Sequence, residues 1–109
     1  MTITLAATGC HSAYIQSTVR NDTAQPVSLV EVDYPSASFG LQRLDPGQSF
    51  PYRFKVLGSG PLKLSYTDAS HHDHQATGPL LREGNEGPLR IVIANDGVHW
   101  EPASFPPAR

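Results

Sequence analysis

The segment Ser49-Phe-Pro-Tyr-Arg-Phe-Lys-Val56 shows the clearest alternation of apolar and polar residues in the chain. Its aromatic residues Phe50, Tyr52 and Phe54 occupy every second position. Successive side chains of a β-strand point to opposite faces of a sheet. This spacing therefore predicts a strand that directs its aromatic face into a core.

Glu31 and Asp33 alternate with valines earlier in the chain, which predicts a second strand with both carboxylates directed to solvent. The intervening segment Leu44-Asp-Pro-Gly-Gln-Ser49 has the composition of a turn, because proline fixes one φ and glycine permits a positive one. We expect Arg53 and Lys55 to form surface pairs with these carboxylates across neighbouring strands.

Similar alternating runs continue along the chain and are separated by Pro- and Gly-rich turns. The predicted strands are residues 14–20, 27–34, 37–44, 49–56, 62–67, 76–82 (a weak run), 89–93 and 98–100, with a polar loop over Asp68–Gln75. A chain of 109 residues suits one domain. Strand count and turn spacing predict an all-β fold, an antiparallel two-sheet sandwich of about seven strands with Greek-key-like connections.

Composition excludes several functional classes. Ten acidic and eight basic residues give a net charge of −2, and only two of the basic residues are lysines. A nucleic-acid-binding protein needs a concentrated basic face, which this sequence does not supply, so no nucleic-acid partner is expected. The single cysteine, Cys10, excludes an internal disulfide and a multi-cysteine metal site.

The N-terminal stretch Leu5-Ala-Ala-Thr-Gly-Cys10 resembles the end of a bacterial lipoprotein signal peptide, where small residues precede a cysteine that becomes lipidated. The resemblance implies a lipid anchor on Cys10, a membrane contact through that anchor, and a position on the periplasmic or extracellular face of the cell envelope. A basic start and a full apolar core of about 7–15 residues are missing before it. The alternative is a frayed N-terminus with an incidental thiol. Asn21-Asp-Thr23 also matches a glycosylation sequon, which would be a chance match in a bacterial host.

Three segments together resemble the first half of bacterial extracytoplasmic immunoglobulin-like or fibronectin-III-like modules. They are Val19-Arg-Asn-Asp-Thr23, Pro26-Val27 with Val30-Glu-Val32, and Leu44-Asp-Pro-Gly-Gln-Ser49. The resemblance implies an immunoglobulin-like sandwich outside the cytoplasm and no catalytic residues, since these families share an architecture rather than an activity. The predicted organisation is a signal remnant or tether at 1–12, a sandwich domain at 13–101 and a Pro-rich tail at 102–109.

The sequence His71-His-Asp-His74 is the clearest candidate for a functional site. Imidazole and carboxylate groups suit zinc, copper or nickel, and clustered histidines are a metal-binding composition. In an extended segment His72 and His74 share one face, whereas His71 and Asp73 share the other. The alternative is a polar surface loop that binds metal only adventitiously. A blue-copper site is excluded, because it needs a cysteine between histidines on a packed loop.

No enzymatic activity is predicted. Triads can be written from Ser65 or Ser70 with nearby histidines and aspartates, but no glycine-framed nucleophile is present. Trp100 and Tyr14 could be exposed aromatic contacts, although core or rim positions are the more ordinary expectation. The leading hypothesis is a non-enzymatic extracytoplasmic lipoprotein domain with a structural or protein-binding role and no required cofactor. The alternative hypothesis is a periplasmic protein that binds a divalent transition metal through His71, His72, Asp73 and His74.

Overall fold

The computed structural model describes residues 13–106, which form eight β-strands and no helix. The strands are β1 (Ile15–Asn21), β2 (Val27–Tyr34), β3 (Ala37–Leu44), β4 (Ser49–Phe54), β5 (Gly60–Thr67), β6 (Asp73–Leu81), β7 (Gly87–Ala94) and β8 (Gly97–Glu101). Within this range the chain has no helix that could cross a membrane. The all-β prediction is confirmed, with eight strands rather than about seven, because the run that seemed weak is the nine-residue strand β6.

The strands form two four-stranded sheets, with the order β4-β1-β7-β8 in sheet I and β3-β2-β5-β6 in sheet II. Neighbouring strands are antiparallel except β1 and β7, which run parallel. In an immunoglobulin constant-type domain the first two strands share a sheet. Here β1 and β2 lie in different sheets, so the strand order differs from that arrangement.

Aliphatic side chains from the facing sides of both sheets fill the core. The most deeply buried are Ile15, Val19, Val30, Val32, Leu44, Val56, Leu62, Leu64, Leu81, Leu89, Ile91 and Ile93. They follow the predicted alternation in β1, β2, β5 and β7, where one face of each strand packs inward. This burial supplies the main driving force for folding.

The aromatic face of β4 is only partly buried, which corrects the prediction of a fully inward face. Phe54 is buried and Phe50 half-buried, whereas Tyr52 is 38% exposed. The reason is that β4 is an edge strand of sheet I, so its side chains reach the open side of the sandwich. Tyr52 stacks on Phe39 of β3 there, with ring centroids 4.2 Å apart.

The opposite side of the sandwich is closed by Trp100 of β8, which packs against the core over Gly78 of β6. A Cβ at Gly78 would lie 2.6 Å from the indole ring. Trp100 and Tyr14 are both half-buried, as expected for residues at the rim of a core. Glycine at position 78 is therefore required by the close approach of Trp100 to the backbone.

The predicted surface pairs between β4 and β2 do not form, because these two strands lie in different sheets. β4 pairs with β1, and the Arg53 guanidinium lies 4.4 Å above the centroid of the Tyr14 ring. Glu31 and Asp33 consequently face solvent without Arg53 or Lys55 as cross-strand partners.

Four connections meet at one end of the sandwich, which we call the loop end: residues 22–26, 45–48, 68–72 and 95–96. The Asn21 side chain is fully buried beneath them, and its amide donates to the carbonyls of Gln25 (2.8 Å) and Leu44 (3.0 Å). Its carbonyl accepts from the Thr23 amide and hydroxyl, at 2.9 and 2.6 Å. The asparagine of the apparent sequon is therefore buried, and its side chain holds the surrounding connections in place.

The opposite end carries the start of β1 and the segment that follows β8. Phe105 is buried in the core, and the Asn85 side-chain amide donates to the Pro106 carbonyl at 2.9 Å. Part of the segment described as a Pro-rich tail thus packs against the sandwich.

Candidate functional site

The β5–β6 connection is a tight turn rather than the long polar loop that the sequence suggested. β5 ends at Thr67 and β6 begins at Asp73, so three of the residues assigned to the loop belong to a strand. The Asp68 amide donates to the His72 carbonyl, and the His71 amide donates to the Asp68 carbonyl, both at 2.9 Å. His71 takes a positive φ of 66°, which reverses the chain.

Asp68 organises this turn through its carboxylate. Oδ1 accepts from the backbone amides of Ser70 (2.8 Å) and His72 (3.0 Å), and Oδ2 lies 2.7 Å from His74 Nε2. The hydrogen bond with His74 and the two amide donors lower the pKa of Asp68 to about 2. Asp68 is therefore ionised at neutral pH, and its carboxylate can only accept hydrogen bonds.

This charge state fixes the tautomer of His74. Because an ionised carboxylate cannot donate, Nε2 of His74 carries the proton and Nδ1 of the neutral ring bears the lone pair. The ring also stacks on Tyr66, its direct partner across the strand pair, with centroids 4.8 Å apart and planes 10° from parallel. Burial raises the pKa of the Tyr66 phenol, and the nearby Asp68 charge adds to the effect.

The four sequence-predicted ligands occupy three environments. His72 and His74 both approach Asp68, with His72 Nδ1 at 3.9 Å from Oδ1, as expected for residues that share one face. Asp73 instead accepts a hydrogen bond from the Thr67 hydroxyl at 2.8 Å. His71 is exposed at the tip of the turn.

Among residues 13–106, no three His, Cys, Asp or Glu side chains are arranged to hold a metal ion. The Asp68 carboxylate already contacts the Nε2 nitrogen of His74 and leaves no space for an ion between them. The metal site at His71, His72, Asp73 and His74 stays a prediction. Cys10 and its predicted lipidation lie outside the residues that the structure describes.

A small cavity of about 270 Å³ lies beside the turn, at the loop end. Its lining combines polar side chains of the β1–β2 and β5–β6 connections with the start of the β7–β8 turn: Thr23, Ala24, Gln25, Pro26, Val27, Tyr66, Asp68, Ala69, Ser70, His74, Ala94 and Asn95. Its volume is just below the range typical of small-molecule sites. The Asp68–His74 pair forms part of its wall.

A second aspartate–histidine pair lies at the same end of the domain. His99 Nε2 is 2.7 Å from Asp96 Oδ1, across the β7–β8 turn. This hydrogen bond and the opposite charge of the partner raise the pKa of His99 and lower that of Asp96. Histidine pairs with aspartate on two separate connections of the loop end.

Asp68 is the site residue that sequence reasoning did not single out. The sequence presents it as one residue of the polar loop and as one aspartate of the triads that are set aside, although aspartate at a strand end organises turns through hydrogen bonds to amides two residues on. That signal predicts the Ser70 contact. It does not predict the His74 contact, which depends on the pairing of β5 with β6.

The fold has a counterpart among solved structures. It is similar to a protein from Eubacterium rectale whose structure was determined by NMR, with a TM-score of 0.59 and 17% sequence identity over 89% of this chain and 86% of that chain. At this identity the likeness establishes the two-sheet fold and nothing about activity. No protein-family model matches the chain, and no curated protein matches it in sequence.

Proposed function

We propose that this chain is a non-enzymatic binding module of the bacterial cell envelope, tethered by a lipid on Cys10, with a structural or protein-binding role. The module is immunoglobulin-like in the general sense of a small extracytoplasmic β-sandwich, with its own strand order. Its partner is another protein.

The observation that carries this proposal is the position of the two ends of the sandwich. β1 begins at Ile15, five residues after Cys10 (15 − 10), at the end opposite the loop end. Five residues span at most about 17 Å. A lipid on Cys10 would hold the terminal end of the domain near a membrane and leave the loop end and both outer sheet faces accessible.

The anchor needs more than one acyl chain, because a single chain binds a membrane only marginally. Bacterial lipoproteins of the type that Leu5-Ala-Ala-Thr-Gly-Cys10 resembles carry a diacylglyceryl group on the cysteine. Cleavage before Cys10 would also remove residues 1–9, and the first strand that the structure describes begins later, at Ile15.

Mass spectrometry of the protein expressed from its own gene in its bacterial host tests this proposal. We expect a chain that begins at a modified Cys10 and partitions with the membrane fraction, and a Cys10→Ser variant that loses both properties. An unmodified Cys10 still joined to residues 1–9 contradicts the proposal.

A second candidate function, transition-metal binding, is favoured by the hydrogen bond between Asp68 and His74. Histidines that ligate metals usually donate their other ring N–H to a carboxylate, which orients the ring and raises its basicity. His74 is held in this way with Nδ1 as its free lone pair, and His72 lies near the same carboxylate. A further ligand would have to come from His71, from Asp73 after rotation, or from a second molecule.

Calorimetric titration with zinc, copper and nickel tests the metal function. We expect binding tighter than tens of micromolar, about −6 kcal/mol, that His74→Gln weakens and His99→Gln leaves unchanged. The second substitution is a matched control because His99 also pairs with an aspartate at the loop end. Affinity no better than tens of micromolar, or equal losses in both variants, removes this candidate.

A further inference from the structure

The outer face of sheet II is a polar surface built from small side chains. Its three cross-strand rows are Ser38–Asp33–Lys63–Thr77, Gly40–Glu31–Ser65–Gln75 and Arg43–Ser28–Thr67–Asp73. Serine, threonine and glycine occupy six of these twelve positions: Ser28, Ser38, Gly40, Ser65, Thr67 and Thr77. Half of the positions on this face therefore carry small side chains.

Leu29 rises from this polar face. The pairing of β2 with β5 shifts by one residue between Ser28 and Glu31, so β2 carries a bulge at Leu29. Leu29 adopts a positive φ of 50° and its side chain is 61% exposed. A leucine in the left-handed region of φ is strained. A large apolar side chain that stays in water also lacks the stabilisation that burial would supply. Both features are unfavourable in the isolated domain.

Gly40 forms the floor of a concavity next to Leu29. A Cβ at this position would lie 2.5 Å from the Val30 carbonyl oxygen, so no other residue fits without a shift of the backbone. The concavity has a volume of about 430 Å³, and Leu29, Glu31 and Gly40 are among the residues that line it. Leu29 also borders a second concavity, on the β5–β6 side of the face.

Negative charge predominates on this face. Glu31 and Asp33 lie on the same face of β2, and the hydrogen bond with Asp33, together with its like charge, raises the pKa of Glu31. Lys63 lies across from Asp33 on β5, but within residues 13–106 it forms no ion pair. Neighbouring positions on β3 carry no charge apart from Arg43, which pairs with Asp45 at 2.6 Å. The two carboxyl groups thus lack a cationic partner.

We propose that this face docks an extended segment of a partner protein through an arginine or lysine side chain. The cationic group lies at Glu31 and Asp33, the aliphatic part of its side chain packs against Leu29, and the segment passes over Gly40. The charge of the face selects a basic segment. The inference rests on the protein-binding role proposed above and is independent of lipidation at Cys10.

The size of the face favours a segment over a whole domain. Four strands at about 4.8 Å spacing and three rows about 7 Å apart cover roughly 400 Å². A stable interface between two folded proteins buries about 800 Å² on each partner. A second copy of the chain would leave much of such an interface outside the polar rows.

Titration of the full ¹⁵N-labelled chain with acetyl-Val-Arg-Val-Arg-amide, followed by NMR, tests the proposal. We expect saturable shifts at the amides of Glu31, Gly40 and Ser65, and none with the same peptide carrying citrulline in place of arginine. Glu31→Gln should weaken binding about threefold, as for an exposed charge pair, whereas Glu83→Gln on the distant β6–β7 turn should not. Leu29→Gly keeps the positive φ accessible and should weaken binding without unfolding the chain.

Shifts centred on the loop end, equal binding of the citrulline peptide, or no effect of Glu31→Gln would overturn the proposal. Concentration-dependent shifts at Gly40 without peptide, together with a doubled mass in light scattering, would assign the face to a second copy instead. None of these results bears on the mass of the Cys10 peptide, so failure of this inference is distinguishable from failure of the tether.

Discussion

His74 lies parallel to Tyr66, with ring centroids 4.8 Å apart, while its Nε2 atom is held 2.7 Å from the Asp68 carboxylate. The His74 ring thereby links the end of β5, at Tyr66, and the start of β6 to Asp68 in the connection between them. The arrangement gives the β5–β6 turn a defined shape in spite of its exposure. Asp68 is the residue on which this shape depends, since it bonds both to the ring and to two backbone amides.

Replacement of Asp68 by alanine should therefore loosen the β5–β6 turn. The substitution removes the acceptor for the Ser70 and His72 amides as well as the partner of His74. We expect a lower melting temperature and faster amide exchange at residues 70 and 72. Asp96→Ala, which removes one surface histidine contact, is the control and should have a smaller effect on melting. Equal losses in the two variants would contradict the assigned role of Asp68.

The contribution of Asp68 to stability should also depend on pH in the acid range. The pKa of Asp68 is lowered from 3.8 to about 2, so its contribution to stability is fully present above pH 3.8 and is lost as the pH falls through about 2. The carboxyl carbon of Asp68 should titrate near pH 2 in ¹³C NMR, below the ordinary aspartate value of 3.8. In His74→Gln the midpoint should rise toward the ordinary value. A midpoint near 3.8 in the unsubstituted protein would show that the hydrogen bonds do not persist in solution.

His99 should give the opposite pH dependence. Its pKa is raised by the Asp96 hydrogen bond, so its contribution to stability is present below the unfolded-state pKa of about 6.5 and is lost as the pH rises through the folded-state value. The ring protons of His99 should titrate above those of a model histidine, and Asp96→Asn should return the midpoint toward about 6.5. An unchanged midpoint in that variant would contradict the pairing.

Alternation identified the inward faces of the central strands because burial there has a period of two, and Val30, Val32, Leu62 and Leu64 are all buried. It failed at β4, where the edge position leaves Tyr52 exposed on one side. Edge and centre cannot be distinguished from one strand, since the pattern contains no information about which strands are neighbours.

The candidate site was predicted less completely for the same reason. His72 and His74 were expected on one face, and both approach Asp68. The carboxylate that unites them was not expected, because its position depends on where β5 ends and on the register that sets His74 opposite Tyr66. The bulge at Leu29 was also invisible in the sequence, since leucine has no preference for a positive φ.

The buried side chain of Asn21 allows a test of what holds the connections of the loop end together. Its side chain is fully buried and satisfies two carbonyls, one amide and one hydroxyl of the surrounding connections. Asn21→Ala should leave several of these groups unpaired in the interior and lower the free energy of unfolding by about 3 kcal/mol. Urea denaturation measures the change. Asn95→Ala, at an exposed position of the β7–β8 turn, should stay within about 0.5 kcal/mol of the parent.

Gly78 tests how the sandwich closes at its β6–β8 side. A methyl group there would meet the Trp100 ring at 2.6 Å, so Gly78→Ala should force the indole outward. We expect a loss of about 1–3 kcal/mol in the free energy of unfolding, because an added methyl group in a well-packed region forces side chains to shift. We also expect a red-shifted tryptophan emission, because the displaced indole ring becomes more exposed to water. Gly60→Ala is the matched control, since its Cβ would contact only the Pro35 ring, at 3.7 Å. If Gly78→Ala melts like Gly60→Ala and keeps the parent emission, Trp100 does not pack on the β6 backbone, and this side of the sandwich is open in solution.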